Sequence, residues 1–206
     1  MFLGRLNAWK YTIAGCVGIQ KYGGSTINPM RHSPYTAGPY IPLIPPPSHF
    51  GFPPKFHSYR KVQDRAIMAG LQSTSRFVAQ CAPVGFGKSV NAIMQAVLGG
   101  WKCVVLTATK GLQDQYVREF GEMGLVDQRG RDNYAFPGDP EHATCDEGPC
   151  MGGMRCGLKK LGQCPYANSV NQFNKSKLAV TNYAWWLAMS QSEKGVVLPD
   201  LLVCDE

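Results

Sequence analysis

The feature that most constrains this chain is a short stretch in which two glycines precede a lysine and a serine, Cys81-Ala82-Pro83-Val84-Gly85-Phe86-Gly87-Lys88-Ser89. An apolar run at 77–79 leads into it, and residues 90–98 have the apolar spacing of a helix that the glycine pair at 99–100 ends. A strand, a glycine-containing loop, a Lys-Ser pair and a helix follow one another in this order in phosphate-binding P-loops. We call residues 82–89 the glycine loop, and its pattern predicts a nucleotide site.

The residue types of the glycine loop suit the binding of ATP. Gly85 and Gly87 let the backbone curl so that successive N–H groups point at a phosphate. Lys88 supplies a positive charge for the β- and γ-phosphates, and Ser89 supplies a hydroxyl for the accompanying Mg²⁺. Ala82 stands where the usual pattern has glycine, and the alternative is a glycine-rich turn whose lysine has no ligand. The predicted nucleotide contacts are Pro83, Val84, Gly85, Phe86, Gly87, Lys88 and Ser89.

The positive charge of the chain lies in its N-terminal part. The 206 residues carry a formal charge of +7, and no Asp or Glu precedes Asp64. Residues 1–55 also hold most of the 15 prolines, which interrupt helices and sheets. We therefore expect a Pro-rich, basic and flexible arm over 1–55. The alternatives for this arm are contact with nucleic-acid phosphates, a role as a targeting segment, and a solvated tail without a specific partner.

Apolar runs and helical patterns alternate along the rest of the chain. Strands are predicted at 103–106, 178–181 and 201–204, and helices at 57–71, 111–121 and 183–189. This alternation predicts an α/β fold with a parallel sheet, formed by 56–134 and 171–206 and interrupted by an insertion at 135–170. No apolar run reaches the roughly 18–20 residues of a membrane span, so no membrane contact is expected.

Four cysteines cluster within residues 135–170, which we call the cysteine segment, with the spacing Cys145-x4-Cys150-x5-Cys156-x7-Cys164. Four thiolates can hold a tetrahedral Zn²⁺ or an iron–sulfur cluster, and either would stabilise a segment too short to build much core. The spacing is looser than the Cys-x2-Cys pairs of common zinc ribbons, which favours iron–sulfur and leaves Zn²⁺ as the alternative. A metal site also favours a reducing intracellular compartment over a disulfide scaffold.

Polar residues at two other places are candidate ligand contacts. Gln63 lies on the predicted helix before the glycine loop, and its amide can pair with an edge of adenine. The alternative is a surface glutamine on an amphipathic helix. Thr107, Thr109 and Lys110 follow a predicted strand, at the edge of the sheet where α/β proteins bind ligands.

Taken together, these motifs resemble the XPD/DinG-type superfamily 2 DNA helicases, which carry an iron–sulfur domain inserted in the first motor domain. The resemblance covers the chain from about residue 56 onward. The glycine loop resembles the family's motif I, and 107–115 resembles motif Ia, which lies on single-stranded DNA. Cys164-Pro165-Tyr166 resembles the last cluster ligand and its neighbours, while 129–134 and 181–183 are similar to the segments on either side of the cluster domain. Asp205-Glu206 resembles the start of the Asp-Glu-Ala-His motif II.

The resemblance implies a RecA-like domain that couples ATP hydrolysis to translocation on single-stranded or forked DNA. It implies Mg²⁺ on Ser89 and Asp205, catalysis by Lys88, Asp205 and Glu206, and adenine-side contacts from Arg60 and Gln63. The implied DNA contacts are Thr107, Thr109 and Lys110. The implied ligands of a 4Fe-4S cluster, with Zn²⁺ as the alternative, are Cys145, Cys150, Cys156 and Cys164.

The sequence departs from the family pattern in two places. Phe136 stands where the family often has its first cluster cysteine, and the sequence stops at Glu206 within motif II, with no second RecA-like domain. We therefore expect these 206 residues to bind nucleotide weakly without unwinding DNA, in the cytoplasm or at the nucleoid. Two alternatives are a nucleic-acid- and metal-binding module that does not hydrolyse ATP, and another P-loop enzyme such as a kinase.

Overall fold

The computed structural model describes the backbone of residues 10–14, and residues 41–139, 141, 143–154, 156–191 and 196–205. Six strands are β1 (Lys10–Ala14), β2 (Phe77–Ala79), β3 (Cys103–Thr107), β4 (Val126–Gln128), β5 (Leu178–Asn182) and β6 (Leu201–Asp205). Six α-helices are α1 (Gln63–Gln72), α2 (Lys88–Gly99), α3 (Lys110–Phe120), α4 (Gly157–Lys160), α5 (Pro165–Lys175) and α6 (Tyr183–Ser190). Short 3-10 turns lie at Pro47–Phe50, Pro54–Phe56, Gly121–Met123, Arg131–Asn133 and Pro149–Gly152.

The strands form one sheet in the order β2-β1-β6-β3-β5-β4. Every neighbouring pair runs parallel, which confirms the predicted α/β fold with a parallel sheet. All five residues of β3 are buried, as expected for a strand covered on both faces. The carboxyl ends of β3, β5 and β6 meet at one edge, where Thr107 pairs with Asn182 on one side and Asp205 on the other.

Apolar side chains of the sheet pack into a core on each face. On one face, Ile67 of α1, Ile93 of α2 and Phe120 of α3 pack with the strand residues Val105 and Val203. The core of the other face contains Val104, Leu106 and Leu202 with Phe173 of α5 and Trp185 of α6. Helices therefore cover both faces of the sheet. No helix among the described residues is long and apolar enough to cross a membrane.

Strand β1 was not predicted from the sequence, which assigned it to the flexible arm. Its backbone pairs with both β2 and β6, so that Tyr11 stands beside Phe77 and Leu202. A central strand that comes from a distant part of the chain has no local signal beyond a short apolar run. The rest of 1–40 lies outside the described residues.

The last part of the predicted arm packs on the body of the domain. Phe52 is buried and makes an edge contact with Phe120 of α3. The Leu43 amide donates to Asp64 Oδ2 at 2.6 Å, and the Tyr59 hydroxyl donates to the Pro45 carbonyl at 2.7 Å. Aromatic residues between the prolines thus attach residues 43–56 to the helices of the first face.

The structure differs from the sequence prediction at the start of one helix and in two elements that were not predicted. Helix α1 begins at Gln63 rather than near residue 57, because Val62 has φ 61° and ends the preceding turn in the left-handed region. A β-branched residue rarely adopts this conformation. Helix α5, which begins at Cys164-Pro165 with proline in its first turn, and the short strand β4 were not predicted, because Gly, Asp and Cys dominate the sequence around them.

Candidate functional site

The glycine loop connects β2 to α2 and has the backbone that its two glycines permit. Gly85 has φ +83° and Gly87 has φ +85°, values that glycine adopts without strain. The Phe86 amide donates to the Pro83 carbonyl at 3.2 Å and closes a turn within the loop. Helix α2 begins at Lys88 without a side-chain cap. Its first-turn N–H groups and its dipole thus favour an anion there.

Gln63 of α1 is hydrogen-bonded to the backbone of the glycine loop. Its Nε2 donates to the Gly87 carbonyl at 3.0 Å, and its Oε1 accepts from the Arg60 amide at 3.0 Å. The side chain is only 3 % exposed. One N–H and one oxygen lone pair remain after these two bonds. Gln63 therefore fixes the loop relative to α1, a role that its sequence position alone did not suggest.

Arg60 lies over the same loop. A Cβ built on Gly85 would stand 3.6 Å from Arg60 Nη1. A Cβ on Gly87 would stand 2.7 Å from Gln63 Nε2. Arg60 and Gln63 were both predicted to lie on the adenine side of the site. In the structure they lie next to Gly85 and Gly87, the two loop glycines with positive φ. Val62 in its left-handed conformation lies between them in the chain.

Behind the glycine loop is a cavity of about 310 Å³. It is lined by both apolar and polar side chains, among them Val62, Phe86, Lys88 and Asn91. Asn91 is 4 % exposed, and its Nδ2 donates to Gln80 Oε1 at 3.1 Å. Its Oδ1 has no hydrogen-bond partner in the part of the chain that the structure describes. The wall of this cavity is therefore largely apolar, with Asn91 among its few polar residues.

Asp205 and Ser89, the two predicted Mg²⁺ ligands, both lie near the tyrosine of α3. The hydroxyl of Tyr116 donates to Asp205 Oδ2 at 2.5 Å. Burial, followed by the nearby Asp205 carboxylate, raises the pKa of Tyr116 well above its usual value, and the Ser89 side chain acts in the opposite direction. The phenol is therefore a neutral donor at physiological pH. Glu206 lies outside the described residues.

The predicted DNA contacts lie where β3 ends and α3 begins, and their exposure differs. Thr107 is fully buried, and its hydroxyl lies 3.4 Å from the Thr181 carbonyl. Thr109 is exposed, and its hydroxyl oxygen caps α3 by accepting from the Leu112 amide at 3.2 Å. Lys110 is exposed and forms an ion pair with Asp132 at 3.4 Å. Thr109 and Lys110 are accessible to a ligand, whereas Thr107 supports the strand end.

Cysteines of the cysteine segment lie near one another. The Cys145 thiol is buried, and its pKa is raised first by burial and further by a hydrogen bond with Cys164 and by nearby Cys150. Arg131 Nη1 lies 3.5 Å from Cys150 Sγ. Cys156 and Cys164 are half-buried and precede the first turns of α4 and α5.

The thiols are the soft donors that zinc and iron–sulfur clusters take. No group of three or more His, Cys, Asp or Glu side chains among the described residues is arranged to hold a metal ion. The donor types fit such a centre, whereas the described positions of the thiols do not form one.

Sequence reasoning missed several residues that build the site. Tyr116 was not singled out, although a tyrosine carries a hydroxyl that needs a partner when buried. Gln80 was not singled out either. Its amide joins Asn91 and Gln95 of α2 to the Ala66 carbonyl of α1. The local signal for this network in the sequence was a pair of amide residues, Asn91 and Gln95, one helical turn apart.

Comparisons of the chain with protein-family models, with curated proteins and with solved structures found no match.

Proposed function

We propose that this chain is the ATP-binding motor domain of an ATP-dependent DNA helicase with a RecA-like fold. The glycine loop holds the phosphates, Lys88 neutralises their charge, and Ser89 and Asp205 are the protein ligands of Mg²⁺. Bound Mg²⁺ would offset the negative charge of the β- and γ-phosphates. In the complete enzyme, Glu206 would orient the attacking water, and a second motor domain would close on the nucleotide.

The observation that carries the proposal is the conformation of the glycine loop, where Gly85 and Gly87 have positive φ and α2 begins at Lys88 without a side-chain cap. Ser89 lies in the first turn of α2, and Asp205 ends β6, paired with Thr107 of β3. A serine hydroxyl after such a loop and a carboxylate at the end of a strand of the same sheet are the oxygen donors that a nucleotide-bound Mg²⁺ takes. The uncapped N–H groups of α2 favour a phosphate at the same place.

The DNA-binding part of the proposal rests on Thr109 and Lys110. Both are exposed at the N-terminus of α3, where backbone N–H groups and a positive side chain favour phosphate. Thr107 is too deeply buried for direct contact. The cysteine segment is proposed to hold an iron–sulfur cluster, or Zn²⁺, through Cys145, Cys150, Cys156 and Cys164. Such a centre would stabilise a segment of short helices and turns.

Nucleotide binding is tested with a fluorescent ATP analogue and Mg²⁺ on the 206-residue chain. Lys88→Ala should weaken binding by roughly tenfold to a hundredfold, because a charged hydrogen bond contributes about 1.5–3 kcal/mol. Lys175→Ala is the matched control, since Lys175 is the exposed last residue of helix α5. Equal affinity of the wild type and Lys88→Ala would overturn the proposed phosphate site.

DNA and metal binding are tested separately. Anisotropy of a labelled single-stranded oligonucleotide should show weaker binding for Lys110→Ala than for Lys175→Ala, and a smaller salt dependence. Protein purified without oxygen should contain iron and sulfide, or zinc, and lose it in Cys145→Ser. Protein that contains none of these would contradict the metal centre and leave the nucleotide site unaffected.

A further inference from the structure

The cavity behind the glycine loop is lined by residues of α1, of the loop and of α2. Its apolar lining residues are Val62, Ala66, Ala82, Pro83, Phe86 and Ala92. Lys88 also lines it. Among the described residues of the loop, Gly85, Gly87 and Ser89 do not. The cavity therefore lies next to the proposed phosphate site without coinciding with it.

Asn91 of α2 lines the same cavity and carries an acceptor without a partner. The residue is 4 % exposed, and its Nδ2 donates to Gln80 Oε1 at 3.1 Å. Its Oδ1 is buried and has no hydrogen-bond partner within the described parts of the chain. A buried acceptor without a partner is unfavourable, so a group that donates to this oxygen would be stabilised there.

The orientation of the Asn91 amide follows from a backbone carbonyl, which only accepts. Gln80 Nε2 donates to the Ala66 carbonyl at 2.8 Å. Gln80 therefore presents its Oε1 to α2, where this oxygen accepts from Asn91 Nδ2 and, at 3.0 Å, from Gln95 Nε2. Reversal of the Asn91 amide would place two acceptor oxygens against each other. The atom without a partner is therefore an oxygen, and it requires a donor.

The size and the walls of the cavity define what it can take. Its volume of about 310 Å³ is at the lower end of the roughly 300–1,000 Å³ of small-molecule sites. A cavity of about 150 Å³ accommodates one benzene ring, so there is room for two fused rings. Apolar walls do not replace the hydration shell of an ion, which favours an uncharged molecule.

From these observations, we propose that the cavity is a binding site for an uncharged two-ring heterocycle that donates one N–H group to Asn91 Oδ1. The site goes beyond the proposed function, because its ligand is a molecule other than the nucleotide and needs no phosphate. The apolar residues contact the rings, and Asn91 selects a molecule with a donor over one of the same shape without it.

Indole and benzofuran are the matched probes, because benzofuran has an oxygen atom where indole has its N–H group. Binding of each is measured by ligand-observed NMR titration of the 206-residue chain without nucleotide. We expect indole to bind about tenfold more tightly, since one hydrogen bond to an otherwise unpartnered acceptor distinguishes the two probes. Equal affinities, or no binding of indole, would overturn the proposal.

Asn91→Leu removes the acceptor and leaves Gln80 Oε1 bonded to Gln95. The two probes should bind this variant with equal affinity. Asn171→Leu is the matched control, since Asn171 is exposed on α5, and it should keep the preference for indole. A preference that persists in Asn91→Leu would contradict the assigned contact. If Asn91→Leu does not fold, the comparison of the two probes on the wild type still decides the question.

Cys81 provides an independent measurement of where indole binds. Its thiol is exposed, and the residue lines the cavity. Saturating indole should therefore slow the alkylation of Cys81 by iodoacetamide, which mass spectrometry of the digested protein measures. An unchanged rate at an indole concentration that saturates the NMR signal would place the probe elsewhere and refute the site.

ADP with Mg²⁺ separates this site from the proposed nucleotide site. Indole should still bind when ADP and Mg²⁺ are saturating, because Gly85, Gly87 and Ser89 do not line the cavity. Complete displacement of indole by ADP would mean that the cavity belongs to the nucleotide site, and a separate ligand would be ruled out. A chain that binds indole and no nucleotide overturns the proposed function and supports the cavity as a site of its own.

Discussion

Substitution of Gly87 by alanine should destabilise the domain far more than the same change at another glycine of similar φ. Gly87 has φ +85°, and a Cβ there would stand 2.7 Å from Gln63 Nε2. Gly51 has φ +77°, with nothing within 4 Å of the built Cβ. The two alanine substitutions therefore have the same conformational cost, but only the Cβ at position 87 clashes with another side chain.

The expected magnitudes follow from these two terms. An L-residue in the left-handed region costs roughly 1–2 kcal/mol, and the reduced freedom of the unfolded chain offsets about 0.4–1 kcal/mol of it. Gly51→Ala should therefore lower the free energy of unfolding by about 1 kcal/mol. Gly87→Ala also displaces the buried amide of Gln63 from the Gly87 carbonyl, which adds about 1–3 kcal/mol. The total for Gly87→Ala is about 2–4 kcal/mol.

Urea denaturation of the two variants and the wild type measures this difference. Gly85→Ala is a second control without a clash, because its φ is +83° and the nearest atom to a built Cβ, Arg60 Nη1, is at an ordinary contact distance of 3.6 Å. In a Gln63→Ala background the clash is removed, so Gly87→Ala should there cost about as much as Gly51→Ala. Such a double-mutant cycle isolates the contact between the two residues.

The reasoning is refuted if Gly87→Ala and Gly51→Ala lower the free energy of unfolding equally in the wild-type background. It is also refuted if the excess cost of Gly87→Ala persists after Gln63→Ala. Either result would mean that the amide of Gln63 does not hold the glycine loop.

Three other changes test separate parts of the fold. Since the pKa of Tyr116 is raised, the folded state keeps the phenol proton at pH values where the unfolded chain loses it. The free energy of unfolding should therefore fall as the pH rises above about 10, and it should fall less in Tyr116→Phe. Alkaline denaturation curves of the two proteins measure this difference. Lys102 Nζ donates to three backbone carbonyls at the end of α5. Lys102→Met should therefore cost about 1–3 kcal/mol in urea denaturation, with exposed Lys177→Met near neutral. Thr109→Ala removes the cap bond to the Leu112 amide and should cost about 1 kcal/mol; an unchanged denaturation midpoint would contradict the cap.

The local part of the fold was predictable because it depends on spacing within short windows. The run at 103–107 is apolar throughout and forms the buried strand β3. The helical spacing after the glycine loop became α2, which ends at the glycine pair with Gly100 in the left-handed region. Both signals are carried by neighbouring residues. Helix α5 was missed because it has few apolar residues and follows a segment in which Gly, Asp and Cys dominate.

The site itself was only partly predictable. The sequence predicted roles for the glycine loop, Lys88 and Ser89 from their adjacency, and for Asp205 only through the resemblance to motif II. It left Gln63 as an adenine contact or a surface residue, and in the structure its amide donates to the backbone of the loop. It did not single out Tyr116, whose buried hydroxyl donates to Asp205.

The sequence by itself determined the alternation of strands and helices, hence a parallel sheet, and the loop conformation that two glycines permit. The tertiary structure alone shows that β1 lies between β2 and β6 and that the Tyr116 hydroxyl donates to Asp205. Periodicity and turn residues act over a few positions along the chain. The order of strands in a sheet, and the hydrogen bonds between its distant ends, depend on which surfaces bury each other, and no local pattern carries that information.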